Sequence, residues 1–217
     1  MSDRVETKPS IFGMIGNPVL QFKRMRNDIK ITKVLLVLLF LSGIAGAIQM
    51  YANERTQEGM QKAAEIAKIS GSGVPLGATL GMGFGVAFIL ALFGYLFTAL
   101  VYKAFLMFTE SYATYKTILC LTLYVSIIAV LGRFCNALIA VGLGGNGKEV
   151  YTSLAGLFEK GTMLYAIGSK FELFSVWALV VTGIGLQIVA GVSKRQAMII
   201  TVAFFSLSVL FGAIRYM

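Results

Sequence analysis

Residues 78–101 have the sequence ATLGMGFGVAFILALFGYLFTALV, a run that contains no charged side chain. A helix needs about 20 predominantly apolar residues to cross ~30 Å of hydrocarbon, so this run is long enough to span a membrane. Four other runs share this length and apolar character. The five runs are residues 31–52, 78–101, 118–143, 173–192 and 197–214. They predict an all-α polytopic membrane protein with five transmembrane helices.

The composition excludes the other fold classes. The chain is 57% hydrophobic and its mean hydropathy is +0.80, which leaves too little polar surface for a soluble globule that contains five such runs. Spanning β-strands alternate apolar and polar residues over about 10 positions, and these runs are longer and do not alternate. We therefore predict one membrane domain over residues 1–217.

The distribution of charge predicts the orientation. Eleven basic and four acidic residues flank one side of the predicted spans, whereas seven basic and six acidic residues flank the other. Basic residues near the ends of spans favour the cytoplasm. The N-terminus is therefore predicted to be cytoplasmic and the C-terminus outside. The same topology accounts for the net charge of +9, so we do not expect nucleic acid as a partner.

A short basic helix is predicted before the first span. Asn17 is a potential N-cap and Pro18 suits the first helical position. The apolar face is formed by Val19, Phe22 and Met25, and the basic side chains are Lys23, Arg24 and Arg26. In one interpretation the helix lies on the cytoplasmic leaflet, with its cations on lipid phosphates. In the other, these residues are ordinary positive-inside residues.

Two outer segments have helical patterns. Residues 54–68 are rich in helix formers and include Glu58 and Lys62 at i, i+4 spacing. Residues 148–170 carry apolar side chains at helical spacing. We expect both segments to cover the outer ends of the spans.

The residues that usually carry catalysis are scarce. The chain has no histidine, and none of its acidic residues falls in a predicted span. Intramembrane hydrolysis uses paired aspartates, a serine with a histidine base, or a histidine-ligated zinc. A carboxylate-coupled pump needs a buried acid. We therefore expect no enzymatic activity and no metal or other cofactor.

Arg133 is the one charged residue well inside a predicted span. A charge at the bilayer centre costs at least about 2.5 kcal/mol on insertion scales, so an intramembrane arginine marks a candidate site. In one interpretation Arg133, Asn136 and Gln187 line a polar interior that binds an anionic group, as in a small transporter or channel, or that joins protomers. In the other, Arg133 reaches the outer interface or makes structural hydrogen bonds.

Glycines recur every four residues at the start of the second span. Gly77, Gly81 and Gly85 would form one small-residue face, and such faces allow helix backbones to approach closely in a membrane. The face is expected either to pack within the bundle or to form the interface of a homo-oligomer.

The order of these segments resembles the Yip-domain family of five-span membrane proteins. The resemblance is carried by Asn17-Pro18-x-x-x-Phe22, by Phe171-Glu172-Leu173-Phe174-Ser175-Val176-Trp177, by Gly183-Ile184-Gly185-Leu186 and by Ser193-Lys194-Arg195-Gln196-Ala197. The last three stretches look like the fourth span and fourth turn of bacterial members. In eukaryotic relatives the family implies binding of Rab-type GTPases and membrane traffic, and bacterial members are similar in fold without those partners.

The resemblance implies a non-enzymatic accessory role in a bacterial plasma membrane and no catalytic residues. We therefore expect a membrane scaffold or accessory protein that packs against other integral membrane proteins, with a transport or export complex as the expected client. A lipid-binding or membrane-shaping protein, acting through Lys23, Arg24 and Arg26, is a further alternative.

Overall fold

The computed structural model describes residues 8–25 and 31–214. Within these ranges the chain forms nine α-helices and a short 3₁₀ helix, Leu154–Leu157. The α-helices are α1 Gly13–Gly16, α2 Pro18–Met25, α3 Thr32–Glu54, α4 Gln57–Ser70, α5 Leu76–Leu106, α6 Tyr115–Leu143, α7 Met163–Gly168, α8 Leu173–Ala190 and α9 Lys194–Ile214. The predicted all-α architecture is confirmed.

Helices α3, α5, α6, α8 and α9 are long and apolar enough to cross a membrane. They coincide with the five predicted spans, although several begin or end a few residues outside the apolar runs. Helix α6 begins at Tyr115 because the side chain of Thr114 accepts a hydrogen bond from Thr117 N. Helix α5 has 31 residues, a length of about 46 Å, and so exceeds the hydrocarbon thickness.

Helix α6 is the centre of the bundle. In its most apolar 18-residue window, 67% of the residues are buried, against 17–39% for the other four spans. It contacts α3 and α5 as well as α8, while α9 packs on α8, α7 and α5. The side chains of Ile118, Leu121 and Ile128 on α6 are fully buried.

Small residues bring α3 and α5 together. A methyl group placed on Gly83 would lie 2.7 Å from Met50 Cβ and 2.9 Å from the carbonyl oxygen of Gly46. One placed on Gly43 would lie 2.5 Å from the Phe84 ring. Any side chain at these positions would push the helices apart, so the glycines set their separation.

The short basic helix is present, but two of the three residues of its predicted apolar face are buried in the bundle. Asn17 Oδ1 accepts a hydrogen bond from Leu20 N at 3.1 Å, as expected of an N-cap. Phe22 and Met25 are fully buried in the core of the bundle, and the Phe22 ring lies against Gly185 of α8. The leaflet-bound interpretation is therefore wrong for Phe22 and Met25, since their burial in the bundle removes them from both water and lipid, whereas Val19 is 40% exposed.

The structure confirms the predicted helix in one outer segment and contradicts it in the other. Helix α4 confirms the first, with Lys62 Nζ 2.6 Å from Glu58 Oε1; this hydrogen bond lowers the pKa of Glu58. Over residues 148–170, helix is limited to the four-residue 3₁₀ turn and the six residues of α7. The helical pattern there was misleading because the backbone is extended at Ser153 and Phe158, and Ser153 forms a bridge with Glu172.

Candidate functional site

Arg133 lies where α3, α5 and α6 meet. Its Nη2 donates hydrogen bonds to Ser42 Oγ at 3.0 Å and to Tyr95 Oη at 3.2 Å. The two hydroxyl oxygens are themselves 2.9 Å apart. Ser42 is fully buried and Tyr95 is 7% exposed. The guanidinium is thus directed towards the interior of the bundle and is not extended to the outer interface.

A hydrogen bond within α3 orients the Ser42 hydroxyl so that its oxygen can accept from Arg133. Its hydroxyl donates to the carbonyl of Leu38 at 2.7 Å, a local bond that serines in helices commonly form. The hydroxyl hydrogen is then occupied, so the oxygen lone pairs face the cation. Because Ser42 is about ten residues from the start of α3, it lies roughly 15 Å along that helix, near mid-span.

A second polar network begins one helical turn further along α6. Asn136 Nδ2 donates to the carbonyl of Gly132 at 2.9 Å and to Thr152 Oγ1 at 2.8 Å. Thr152 N donates to Asn136 Oδ1 at 3.1 Å. The Thr152 hydroxyl in turn donates to Glu172 Oε1 at 2.7 Å. The network ties the loop after α6 to the start of α8.

Glu172 is the residue that sequence reasoning missed. Its side chain is only 6% exposed and caps α8, accepting hydrogen bonds from Phe174 N at 3.1 Å and Ser175 N at 2.7 Å. The Ser175 hydroxyl donates to the same carboxylate at 2.7 Å. The charge count treats Glu172 as one more surface acid. Its position directly before an apolar run was a weak signal, because Ser, Thr, Asp and Asn are the residues usually preferred at an N-cap.

Gln187 does not join Arg133, so the predicted three-residue polar interior is wrong. Its Nε2 donates to the carbonyl of Gly183 at 3.1 Å. Phe174 packs against Gly132, the residue beside Arg133, and Gln187 is 13 residues further along α8, or about 20 Å. Arg133, Asn136 and Gln187 thus have three separate sets of hydrogen-bond partners.

The glycine face of α5 points away from the bundle. A methyl group placed on Gly77, Gly81 or Gly85 would meet no atom of a neighbouring described element within 4 Å. Packing of this face within the bundle is therefore wrong for the part of the chain that the structure describes. The alternative, an oligomer interface, stays a prediction.

A cavity of about 670 Å³ opens at the end of the bundle that is predicted to be cytoplasmic. It lies between α2, the turn that joins α5 to α6, the start of α6 and the C-terminal end of α8. Its charged and polar lining residues are Lys23, Glu110, Tyr112, Thr114, Thr117 and Gln187. Of the three predicted lipid-contacting cations, Lys23 is exposed and Arg24 is half-buried. Arg26 lies outside the described residues.

The fold and these sites define a multi-pass helical membrane protein. The sequence model of the Yip1 domain matches residues 12–215, so the chain belongs to the Yip1 domain family and the predicted resemblance is confirmed. The chain is similar to the membrane protein YknW of Bacillus subtilis (strain 168), with 30% identity over 217 residues that cover 94% of this chain and 89% of that protein. No solved structure matches the chain. A bacterial-type, multi-pass cell-membrane protein is the class these findings support.

Proposed function

We propose that this protein is a non-enzymatic membrane scaffold or accessory protein whose α5 packs against other membrane proteins, including a second copy of itself. The observation that carries the proposal is the face formed by Gly77, Gly81 and Gly85, which meets no neighbouring element of the described chain. We expect the client to be a transport or export complex.

The physical argument rests on how helices associate in lipid. Lipid tails are as apolar as the helices, so association depends on close packing, and small residues allow that packing. In this chain the glycines that bring α3 and α5 together, among them Gly46 and Gly83, are already covered. The Gly77–Gly85 face has the same composition and is left open on the least buried span.

The test replaces two of these glycines with leucine. The double variant Gly81→Leu/Gly85→Leu should leave the monomer folded, because both sites are open within the chain. It should raise the dissociation constant of an oligomer at least about tenfold, which corresponds to about 1.4 kcal/mol of lost helix packing. Crosslinking and light scattering of the detergent-purified protein measure the oligomer. A pull-down from native membranes measures other partners.

Gly94→Leu is the matched control. Gly94 lies on the same helix and is equally open, but it is nine residues beyond Gly85, or about 180° around the helix. The proposal requires association to survive this change. If Gly94→Leu and the double variant behave alike, the Gly77–Gly85 face is not the interface.

A flux assay addresses the alternative function of a transporter or channel. Purified protein reconstituted without a partner should show no flux of small ions or anions if the scaffold proposal is correct. Flux that is lost in Arg133→Leu would instead establish a transport path beside that side chain. A stoichiometric membrane partner without flux would support the accessory role.

A further inference from the structure

The cavity at the predicted cytoplasmic end carries both signs of charge. Lys23 contributes a cation from α2, and Glu110 contributes a carboxylate from the turn between α5 and α6. Both side chains are exposed, so neither is committed to the core of the bundle. The volume of about 670 Å³ is within the range of small-ligand sites, about 300–1,000 Å³.

The end of α8 adds a second negative element. Residues 187–191 line the cavity and include the C-terminal end of the helix, which stops at Ala190. A helix C-terminus carries about half a negative charge on its last carbonyl groups. The side chain of Ser111 donates to the carbonyl of Ala190 at 2.6 Å and fixes the turn against this end. The Glu110 side of the cavity thus favours a cation.

Aromatic side chains place the cavity at the level of lipid headgroups. Phe108 is 88% exposed and Tyr112 is 97% exposed, on either side of Glu110 in the same turn. Exposed aromatic residues at the ends of spans are typical of the membrane interface. The turn also lies between two membrane-spanning helices, α5 and α6. The cavity therefore opens where phosphate and amine groups of lipids are concentrated.

We propose that this cavity binds the zwitterionic headgroup of phosphatidylethanolamine. The phosphate lies at Lys23, and the primary ammonium lies between Glu110 and the C-terminal end of α8. Thr114, Thr117 and Gln187 supply further hydrogen-bonding groups in the lining. The pairing of a cationic and an anionic wall matches a ligand that carries both charges, whereas an anionic lipid would satisfy only Lys23. The proposal does not depend on the scaffold function.

The experiment measures lipid binding to the full chain in detergent by native mass spectrometry. Short-chain phosphatidylethanolamine, phosphatidylcholine and phosphatidylglycerol are titrated separately, and soluble phosphoethanolamine is a fourth ligand. The intact protein should bind phosphatidylethanolamine about fivefold more tightly than phosphatidylglycerol. Phosphatidylcholine should bind more weakly, because its quaternary amine has no N–H to donate. Phosphoethanolamine alone should not compete at equal concentration if the site belongs to a membrane lipid.

Two variants test the contributions of Glu110 and Lys23 to lipid binding separately. Glu110→Gln should abolish the preference for phosphatidylethanolamine over phosphatidylglycerol, whereas Lys23→Gln should weaken both lipids about fivefold. Exposed residues at the opposite end provide matched controls: Glu159→Gln and Lys68→Gln should change neither affinity. Thermal melting of each variant verifies its fold.

Equal affinity of the intact protein for the three lipids would overturn the proposal. An unchanged lipid preference in a folded Glu110→Gln variant would also overturn it. Competition by phosphoethanolamine at equal concentration would assign the cavity to a soluble ligand and reject the lipid.

Discussion

Helices α5 and α6 are neighbours of similar length and hydropathy, yet the bundle uses them in opposite ways. In the most apolar 18-residue window of each helix, 67% of the residues of α6 are buried but only 17% of those of α5. The mean hydropathy values of these windows, 2.2 and 2.3, do not distinguish them. Helix α6 holds the bundle together through buried side chains and polar contacts, whereas α5 presents glycines and large apolar residues to its surroundings. Hydropathy thus indicates that a helix can lie in the membrane, but it does not indicate which helices pack against it.

The largest expected effect is the difference in stability between a glycine-to-leucine substitution in α6 and one in α5. Gly132→Leu on α6 should destabilise the protein by about 3 kcal/mol, because a methyl group there would already lie 2.7 Å from Phe174 Cβ. Gly94→Leu on α5, where a methyl group would meet no atom of a neighbouring described element within 4 Å, should change stability by less than about 0.5 kcal/mol. Unfolding in detergent micelles measures both. Equal stability of the two variants would contradict the proposal that α6 is closely packed at this position and α5 is not.

An intermediate effect is expected at the outer end of α6. Glu172→Ala should cost about 2 kcal/mol, since it removes an N-cap whose side chain is buried and leaves three part-buried hydrogen bonds without their acceptor. The donors are the hydroxyl of Thr152 and the backbone N–H groups of Phe174 and Ser175. Glu172→Gln should cost less, because an amide oxygen can still accept. Unfolding is again the measurement.

The control for Glu172 is Glu159→Ala. Glu159 is exposed, so its removal should be close to neutral. If Glu172→Ala is equally neutral, the polar network between α6 and α8 does not contribute to stability.

The smallest effect is expected at Arg133, which joins α6 to α3 and α5. Arg133→Leu removes the hydrogen bonds to Ser42 and Tyr95, but it also removes a charge that costs about 2.5 kcal/mol to insert. These terms oppose each other, so the net loss should be about 1 kcal/mol. Stability and assembly are measured together.

Tyr95→Phe serves as the comparison for Arg133→Leu. It removes one acceptor and keeps the cation, so it should cost less than the loss of the arginine. A folded Arg133→Leu variant with unchanged stability, assembly and flux would rule out both a structural and a functional role for this side chain.

Much of the fold follows from local sequence. The five spans, the N-cap at Asn17 and the Glu58–Lys62 pair depend on nearest neighbours and on the thickness of hydrocarbon, and the structure agrees with each prediction. The site was harder to predict because its contacts join distant positions. Thr152 connects to Asn136 and Glu172 across 16 and 20 residues, and Arg133 bonds to Ser42 across 91 residues.

Two choices that the sequence left open have the same physical origin. Phe22 and Met25 form an apolar face that could lie equally well on lipid or on α8, and a single sequence does not distinguish two apolar surroundings. The spacing of Gly77, Gly81 and Gly85 likewise fits any close helix contact. The structure buries the first set and leaves the second open.

By itself, the amino-acid sequence determined that the chain is a helical membrane protein with five spans, because crossing hydrocarbon requires only length and apolarity. It also determined that the residue types that usually carry catalysis are scarce, since these can be counted directly. Only the tertiary structure decided which span lies at the centre, where Arg133 points and that Glu172 is buried. Those outcomes depend on contacts between helices, and hydrophobicity does not encode such contacts when the surrounding lipid is as apolar as the helices themselves.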